Sequence, residues 1–423
     1  MTRITLPAVA VSMLCAAAAG AQTVALTGAK VYPVTQPPIE NATVVIVNGK
    51  ITAVGDSVVI PAGAERIDAT GKWITPGLID PVTVLGVVEI GAVPDANDSR
   101  AKGEKSVAAA FRVWDGLNPA SMLWAPTRNE GITTVGIVPG GGLISGQAAV
   151  VDLVDGTRTQ MLRRKPAAVY AQVEAGATPE TSARGEVLQR LRELLQDAKI
   201  YAAKKEAYEA ARTRAFAASR ANLEALVPLV RGQVPLMLSV DRAADIDAAL
   251  DLAREFAPLK LVLVSAEEGW KVADRIAAAK IPVIVGAMNN IPGSFATLAS
   301  RQENASLLRR AGVQVALSAG GESFNVRNLK QHAGNAVAYG MSWDEALRAV
   351  TLTAAEILGV SAAVGTLQAG KDANVVVWDG DPFEFGTRAV RVFVHGREVI
   401  QPSRQDLLIE RYKSSPPVYI RQP

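Results

Sequence analysis

Apolar and polar positions follow two different patterns along the chain, and each pattern predicts a different kind of domain. Between residues 23 and 74, short apolar runs are broken by turn signals such as Asn48-Gly49 after the run 44–47. This pattern predicts a small β domain with hairpins. From Pro76 to about residue 360, short and mainly apolar segments alternate with amphipathic stretches of helical period. Apolar strands separated by helices are typical of a parallel sheet that is buried on both faces.

The number of candidate strands in the middle region predicts how that sheet closes. They occupy residues 78–84, 133–138, 148–153, 167–173, 236–240, 261–264, 282–285 and 313–317, and helical patterns fill many gaps, as at 243–256, 270–279 and 305–311. Eight strand–helix units in roughly 280 residues suit an α/β fold of the (β/α)8 TIM-barrel type. The segment 148–153 is also compatible with a hairpin outside the barrel, because Asp155-Gly156-Thr157 follows it.

Two long insertions interrupt the repeat, at about 89–130 and 181–230. The second consists mostly of Ala, Leu, Arg, Lys and Glu, which favours helix. We expect solvated helices that cover the barrel rather than a helical arm for dimerisation, because a charged, Ala-rich helix usually faces water.

Composition and charge exclude several classes of protein. The chain has 423 residues, of which 49% are apolar and 20% charged, as in a soluble globular protein. The net charge is only +3, and basic and acidic residues are interspersed. The sequence has no basic block of the kind that marks nucleic-acid binding, so we expect no nucleic-acid partner.

The first 21 residues have the features of a cleavable export signal. Arg3 provides a positive start, residues 4–20 are apolar and Ala-rich, and Ala19-Gly20-Ala21 fits a cleavage site. We expect a periplasmic or secreted mature protein. A lipoprotein signal ending at Cys15 is disfavoured because Leu14 is too bulky. Cys15 is the only cysteine, so the mature chain is expected to lack disulfides and thiolate ligands. No other apolar run reaches the roughly 18 residues of a membrane span.

The segment that opens the middle region carries a family resemblance. Thr75-Pro76-Gly77-Leu78-Ile79-Asp80 resembles the start of the catalytic barrel in the amidohydrolase superfamily, nearest to its imidazolonepropionase-like members. Residues 351–359 are similar to the last barrel helix of that family, and 364–379 to its return to a small sandwich domain. The resemblance implies a barrel over residues 76–360 and a small β-sandwich composed of 22–75 and 361–423. It also implies metal-assisted hydrolysis of amide or cyclic C–N bonds.

The same resemblance locates the family's metal ligands, and the side chains at those positions have a different chemistry here. In the family, the first strand continues Asp-x-His-x-His, the fourth carries a lysine, the fifth and sixth end in His, and the eighth ends in Asp. The matching positions in this chain are Val82, Val84, Tyr170, Ser239, Ser265 and Gly320. Metal ligands must present lone pairs at about 2 Å, which valine and glycine side chains do not have. We therefore expect no metal and no other cofactor.

The histidine content supports this expectation independently of the alignment. The chain has two histidines, His332 and His395, and neither falls at a predicted strand end. We expect both to be ordinary packing or surface histidines. A site made only of carboxylates needs converging acids. Asp241, Glu267, Glu268 and Glu322 stand a few residues past strand ends, where solvated loop acids are the favoured interpretation.

Other chemistry is only weakly indicated. Without a metal, the candidate catalytic residues are Glu267, Ser265 and Ser239, although no G-x-S-x-G elbow or neighbouring histidine base accompanies the serines. A glycosidase pair drawn from Glu174, Glu267 and Glu322 is not selected by any spacing. The Gly-rich stretch 139–147, which ends in Gln147, suits an anion cradle or a tight turn. Further candidates for binding a polar ligand are Asn289, Asn290, Asn325 and Arg327, for which loop capping is the favoured role.

Three functions remain open at this level. The first is a degenerate member of the family that serves as a partner or structural subunit, either in a homo-oligomer or paired with a metal-containing relative. The second is an active, metal-independent C–N hydrolase. The third is a non-enzymatic barrel that binds a solute in its emptied mouth.

Overall fold

The computed structural model describes residues 23–173, 183–288 and 290–413. The predicted export signal, Glu174 and Asn289 therefore lie outside the described residues. Strands and helices are numbered along the chain.

One sheet combines strands from both ends of the chain. Its members are β1 (Thr23–Val31), β2 (Ile39–Val47), β3 (Lys50–Gly55), β4 (Glu65–Asp68), β5 (Trp73–Pro76), β14 (Val375–Trp378), β15 (Ala389–Val394) and β16 (Arg397–Glu398). They are ordered β16-β15-β14-β5-β1-β2-β3, and β4 pairs with β1. Asn48 and Gly49 have φ of 51° and 79°, so they form the predicted tight turn between β2 and β3. The predicted composite β domain is confirmed.

The second sheet is the barrel. Its strands are β6 (Leu78–Thr83), β7 (Ile132–Ile137), β8 (Ile144–Asp152), β9 (Leu162–Gln172), β10 (Leu236–Val240), β11 (Leu261–Ser265), β12 (Val283–Val285) and β13 (Val315–Leu317). They neighbour one another in chain order. Ser318, just past β13, hydrogen-bonds to Asp80 on β6 and so joins the last strand to the first. This arrangement confirms the predicted barrel of the (β/α)8 type.

One barrel strand runs in the opposite direction to the others. β8 is antiparallel to both β7 and β9, whereas the other adjacent pairs from β6 to β13 are parallel. The segment that we assigned either to the barrel or to an outer hairpin is therefore part of the barrel wall, but reversed. A reversed strand needs only short connections, because antiparallel neighbours can be joined without a crossover helix.

Twelve α-helices are present among the described residues. They are α1 (Trp124–Arg128), α2 (Arg158–Met161), α3 (Arg184–Ala203), α4 (Lys205–Glu209), α5 (Arg220–Val230), α6 (Ala243–Glu255), α7 (Ala273–Ala278), α8 (Asn304–Arg310), α9 (Leu329–Ala338), α10 (Trp343–Ala349), α11 (Leu352–Ile357) and α12 (Arg404–Lys413). Helix α3 buries Leu191, Leu194 and Leu195 in the same core as the barrel strands, so the second insertion covers the barrel with one face. None of the described helices combines the length and apolar character needed to cross a bilayer.

Strand alternation separates two layers of core and positions the barrel mouth. On β10, Leu236 and Leu238 face the surrounding helices, whereas Met237 belongs to the interior of the barrel. Because side chains alternate along a strand, Ser239 points inward like Met237, one step nearer the carboxyl end. The same logic directs Val264 on β11 and Val82 on β6 into the interior.

Candidate ligand-binding site at the barrel mouth

A cavity of about 310 Å³ lies inside the barrel at the carboxyl ends of its strands. Its lining is Val82, Tyr170, Ser239, Val264, Ser265, Glu267, Ile284, Val285, Gly286, Met288, Ser318, Ala319, Gly320, Gly321 and His332. The carboxyl ends of parallel barrel strands are where barrels of this type form their ligand sites. The cavity is therefore the candidate functional site.

The structure brings most of the candidate positions together, but not all of them. Val82, Tyr170, Ser239, Ser265 and Gly320 line the cavity, together with Glu267. Val84 does not line it, because this residue lies past the end of β6 and packs into the core between strands and helices.

Two further candidates also lie outside the lining. The Gln147 side-chain amide donates a 3.1 Å hydrogen bond to the backbone oxygen of Ala109, and Glu322 is exposed on the loop after β13. Gln147 thus holds the first insertion against β8 rather than facing the cavity. Of the loop asparagines, Asn290 is buried, and its side-chain amide donates to the Gly286 backbone oxygen at 3.2 Å, which is the expected capping role.

Glu267 and Asp241 form a pair of carboxylates at one side of the cavity. The backbone N–H of Glu267 donates to Asp241 Oδ1 at 3.4 Å. Burial raises the pKa of Glu267 to about 7, and the Asp241 charge adds to this effect, while the nearby Ser300 hydroxyl partly opposes it. Glu267 Oε2 and Ser300 Oγ are nevertheless both buried without a hydrogen-bond partner among the described residues. Burial also raises the pKa of Asp241, against an opposing effect of the Ser265 hydroxyl.

Glu268 has a structural role. Its side chain is buried, and its two oxygens accept hydrogen bonds from the backbone N–H groups of Ala299, at 2.9 Å, and Ala243, at 3.2 Å. Burial disfavours the charged form of Glu268, but these hydrogen bonds and Lys271 outweigh burial and lower its pKa. The expectation of solvated loop acids thus fails for Glu268, because the carboxylate satisfies one loop N–H group and the first N–H group of α6, which has no acceptor within its own helix.

The backbone at Ser265 is unusual and explains how Glu267 comes to face the cavity. Ser265 and Ala266 have φ of 71° and 46°, a left-handed conformation that is uncommon outside glycine. The Ala266 N–H still donates to the Val240 backbone oxygen at 2.9 Å. The chain therefore turns sharply at the end of β11 and directs the next residues back over the mouth. Strain of this kind is concentrated at functional sites.

His332 on α9 also lines the cavity, which the sequence analysis did not anticipate. Its Nδ1 accepts a 3.1 Å hydrogen bond from the backbone N–H of Ala287, so the neutral ring carries its proton on Nε2. Burial lowers the pKa of His332 to about 4. Asn335, on the same helix, donates to the Ala287 backbone oxygen. The one signal in the sequence was that His332 and Asn335 are three residues apart on a predicted helix, which places both side chains on the same face.

Asp80 on β6 accepts hydrogen bonds from residues that form the mouth. It is fully buried and accepts hydrogen bonds from Ser318 Oγ at 2.6 Å, from the Ala319 N–H at 3.0 Å and from the Val82 N–H at 3.2 Å. Burial raises the pKa of Asp80 to about 6, although all three bonds favour its charged form. The aspartate of the motif at residues 75–80 thus holds Ser318, which lines the cavity.

The side chains at the mouth do not fit a catalytic metal ion. The cavity offers serine hydroxyls, the Tyr170 phenol, one carboxylate and one imidazole whose Nδ1 is already hydrogen-bonded. Across the described ranges, no group of three His, Cys, Asp or Glu side chains is close enough to hold a metal. Hydroxyls and phenol are poor replacements for the imidazole and carboxylate ligands that zinc and related ions select.

His395, the other histidine, belongs to an ion-pair network between the barrel and the small domain. Its Nε2 lies 2.7 Å from Asp152 Oδ2 at the end of β8. Arg163 on β9 bonds to Asp152 and, at 2.8 Å, to Asp372, which is also paired with Lys50 at 2.5 Å. Asp152 and Asp372 are both buried. The cavity lies at the carboxyl ends of the parallel strands, whereas Arg163 stands at the amino end of β9. This network therefore lies at the opposite end of the barrel from the cavity.

Comparison with known proteins finds similarity to amidohydrolases and imidazolonepropionases. The model of the Amidohydrolase family matches residues 168–402. The amidohydrolase tasK of Hapsidospora irregularis is 22% identical over 84% of this chain, but the match spans only 39% of that protein. An imidazolonepropionase from Bradyrhizobium sp. is 29% identical, over 81% of this chain and 88% of that protein. Among solved structures, an amidohydrolase from Thermotoga maritima has a TM-score of 0.81 and 27% identity, covering 89% of this chain and 99% of that one.

Proposed function

Because this chain belongs to the amidohydrolase family, we propose that it is a member without metal-assisted hydrolysis that serves as a structural subunit. The family hydrolyses C–N bonds, and the barrel that supports this chemistry is present in full. The proposal concerns what the mouth of this particular barrel does.

The observation that carries the proposal is the donor set at the strand ends. The positions that the family resemblance assigns to metal ligands hold Val82, Ser239, Ser265 and Gly320 in the cavity lining, while Val84 packs away from it. A metal that activates water must be held by several lone-pair donors with an open position left for the substrate. Valine and glycine side chains supply none, so the cavity cannot hold the ion in the family's manner.

Exposed apolar side chains near the mouth support the role of a subunit. Ile90 follows β6, Ile291, Phe295 and Leu298 follow β12, and Phe324 follows β13; each is 48–85% exposed. These three strands are neighbours in the closed barrel, so their following loops lie at one end of it. Large apolar side chains gathered on one surface mark contact sites. We further propose that the subunit is exported, as the sequence of residues 1–21 indicates.

Metal analysis of the purified mature protein tests the central proposal. Elemental analysis after growth with zinc, manganese and iron is expected to find far less than one ion per chain. The same preparation should show no chelator-sensitive hydrolysis of amides, lactams or dipeptides. Near-stoichiometric metal together with such hydrolysis contradicts the proposal. Light scattering tests the assembly: a homo-oligomer supports self-association, whereas a strict monomer restricts the subunit role to pairing with a relative.

A second candidate function is favoured by the pair Glu267 and Asp241. A carboxylate whose pKa is raised to about 7 suits general acid–base catalysis at neutral pH, and the Ser265 hydroxyl lines the same cavity. This candidate is a metal-independent C–N hydrolase. It expects hydrolysis that survives EDTA and falls by 10²-fold or more in Glu267→Gln, with a smaller loss in Ser265→Ala. Glu322→Gln is the matched control, because Glu322 is an exposed acid on the loop after β13. No turnover across the substrate panel excludes this candidate.

A further inference from the structure

In the part of the chain that the structure describes, the lining of the mouth cavity contains an acidic side chain but no basic one that is charged. Glu267 is the only acid in its lining, and no lysine or arginine lines it among the described residues. His332 is neutral, because its Nδ1 accepts a hydrogen bond and burial opposes its protonation. Asp241 lies outside the lining but close enough to Glu267 that its carboxylate accepts the Glu267 backbone N–H and its charge acts on the Glu267 carboxylate. The potential inside the cavity is therefore negative, without a built-in cation to balance it.

The protein leaves this carboxylate incompletely satisfied. Glu267 Oε2 is buried and has no hydrogen-bond partner within the described part of the chain. Its neighbour Glu268, by contrast, is fully engaged with two backbone N–H groups. A buried polar atom without a partner is costly, and such atoms in native structures call for an explanation. Glu267 as a whole is only partly buried and lines the cavity, so a ligand there that brings hydrogen-bond donors and positive charge compensates its carboxylate.

The walls of the cavity define the rest of the ligand. Val82, Val264, Ile284 and Val285 form apolar surfaces, and the hydroxyls of Ser239 and Ser265 are additional polar groups. A volume of about 310 Å³ is at the lower end of the range for small-molecule sites, roughly 300–1,000 Å³. It is larger than a bare ion requires, and its apolar walls favour a body of carbon atoms.

We propose that the mouth cavity binds a small organic cation, a compact apolar body that carries an ammonium or amidinium group against Glu267. The inference rests on the proposed function, since the cavity must be free of a metal ion. An ammonium group has three N–H donors and an amidinium has a flat pair, so either reaches the carboxylate and the adjacent hydroxyls together. A carboxylate ligand of equal size meets repulsion from Glu267 and finds no basic partner in the lining.

Matched probes of one shape test the charge preference. Binding of benzylamine, benzamidine, benzyl alcohol and benzoate to the EDTA-dialysed mature protein is measured by titration calorimetry, with the metal content of the same sample determined. The measurement is made at pH 8, where Glu267, whose pKa burial raises to about 7, is mostly ionised. We expect benzylamine or benzamidine to bind at least tenfold more tightly than benzyl alcohol, and benzoate to bind most weakly.

Two variants assign the preference to its residue. Glu267→Gln keeps the shape of the side chain and is expected to reduce the amine-to-alcohol ratio to about one. Glu322→Gln removes an exposed acid outside the cavity and is expected to keep the ratio. Equal binding of amine and alcohol, tightest binding of benzoate, a ratio that survives Glu267→Gln, or no binding of any probe overturns the inference. If the sample is metal-free, such a result overturns the inference alone, whereas stoichiometric metal overturns the proposed function.

Discussion

Ser318 Oγ donates a 2.6 Å hydrogen bond to Asp80 Oδ1, and this bond joins the end of the last barrel strand to the first strand. The same hydroxyl lies 3.0 Å from the backbone oxygen of Val82 and accepts from the Gly320 N–H at 3.1 Å. Two neighbouring segments of the mouth, β6 and the residues after β13, are thus held together by one buried carboxylate and one hydroxyl. Asp80 at the end of the motif at residues 75–80 therefore has a structural function at the mouth.

Replacing Asp80 tests this closure. In Asp80→Ala, the two N–H groups lose their acceptor and the Ser318 hydroxyl keeps only the Val82 backbone oxygen, so the free energy of unfolding is expected to fall by about 2 kcal/mol at pH 7. Burial raises the Asp80 pKa from 3.8 to about 6, so the native state of the parent binds this proton more tightly than the unfolded state between those values. The parent therefore gains stability as pH falls from 7 to 5, and the deficit of Asp80→Ala grows by about 1 kcal/mol. Urea titrations at both pH values measure this change. Ser318→Ala, which leaves Asp80 two donors, is the milder control; a deficit that shrinks at pH 5 contradicts the assignment.

Ionisation of Glu267 lowers the free energy of unfolding as pH rises, and a neutral side chain at this position removes that effect. Its folded pKa is raised from 4.5 to about 7, so its ionisation disfavours the native state as pH rises through that window. Glu267→Gln is expected to match the parent near pH 4.5 and to exceed it by about 2 kcal/mol at pH 8, a figure reduced for its partial exposure. The other titratable groups facing the site are Asp241, Tyr170 and His332. Thermal unfolding across this range measures the difference, and parallel curves for parent and variant exclude the effect.

His332 has the opposite effect on stability: it lowers the free energy of unfolding as pH falls. Its pKa is lowered from 6.5 to about 4, so the unfolded chain binds the proton more tightly, and the parent loses stability as pH falls between those values. His332→Gln keeps an acceptor for the Ala287 N–H but cannot be protonated. The parent is therefore expected to lose about 3 kcal/mol relative to this variant between pH 7 and pH 4. The measurement compares urea midpoints of the two proteins at pH 4, 5.5 and 7. A constant difference at all three contradicts a buried neutral imidazole.

Arg163 links the barrel to the small domain through two buried carboxylates, Asp152 and Asp372. Arg163→Ala leaves both without their shared cation, which is expected to cost about 3–5 kcal/mol. Calorimetric unfolding measures the loss. Arg254→Ala is the control, because Arg254 is 76% exposed and pairs with the exposed Asp251, so its removal should cost well under 1 kcal/mol. Equal effects of the two substitutions contradict a buried clamp.

The sequence predicts where the strands lie along the chain better than it predicts the direction in which each strand runs in the sheet. Apolar runs placed β10 at residues 236–240, as observed, because burial on both faces leaves a local signature. The direction of β8 has no such signature, since a strand buried on both faces shows the same composition in either direction.

The mouth shows the same limit. The family resemblance predicts Ser239 and Ser265 at the mouth, because it assigns metal ligands to the ends of the fifth and sixth strands, and Glu267 follows the sixth strand. His332 was missed because it reaches the cavity from a helix, and its hydrogen bond to Ala287 spans 45 positions in the sequence. The turn at Ser265, with φ of 71°, also lacks a glycine to signal it.

Rebuilding the ligands is the most direct test of whether the mouth retains the family's geometry. Val82, Ser239 and Gly320 all line the cavity, and a Cβ added at Gly320 meets no atom within 4 Å. The backbone at Gly320 is left-handed, with φ of 55°, a conformation that aspartate tolerates better than most residues. The triple variant Val82→His, Ser239→His, Gly320→Asp is therefore expected to bind one zinc ion per chain with a submicromolar Kd, because three ligands then converge with an open fourth position.

The control for this rebuilding replaces Val82→His by Val84→His in the same background. Val84 packs between strands and helices, so its imidazole cannot join the other two ligands without displacing core side chains. Zinc binding by competition with a chromogenic chelator is expected to be at least tenfold weaker in the control. Equal affinity of the two triple variants contradicts the arrangement of the mouth, and no zinc binding by either shows that the scaffold no longer presents these positions together. Tight binding by the first alone means that the backbone of this mouth presents the ligand positions of the family, and that the side chains at those positions decide whether a metal binds.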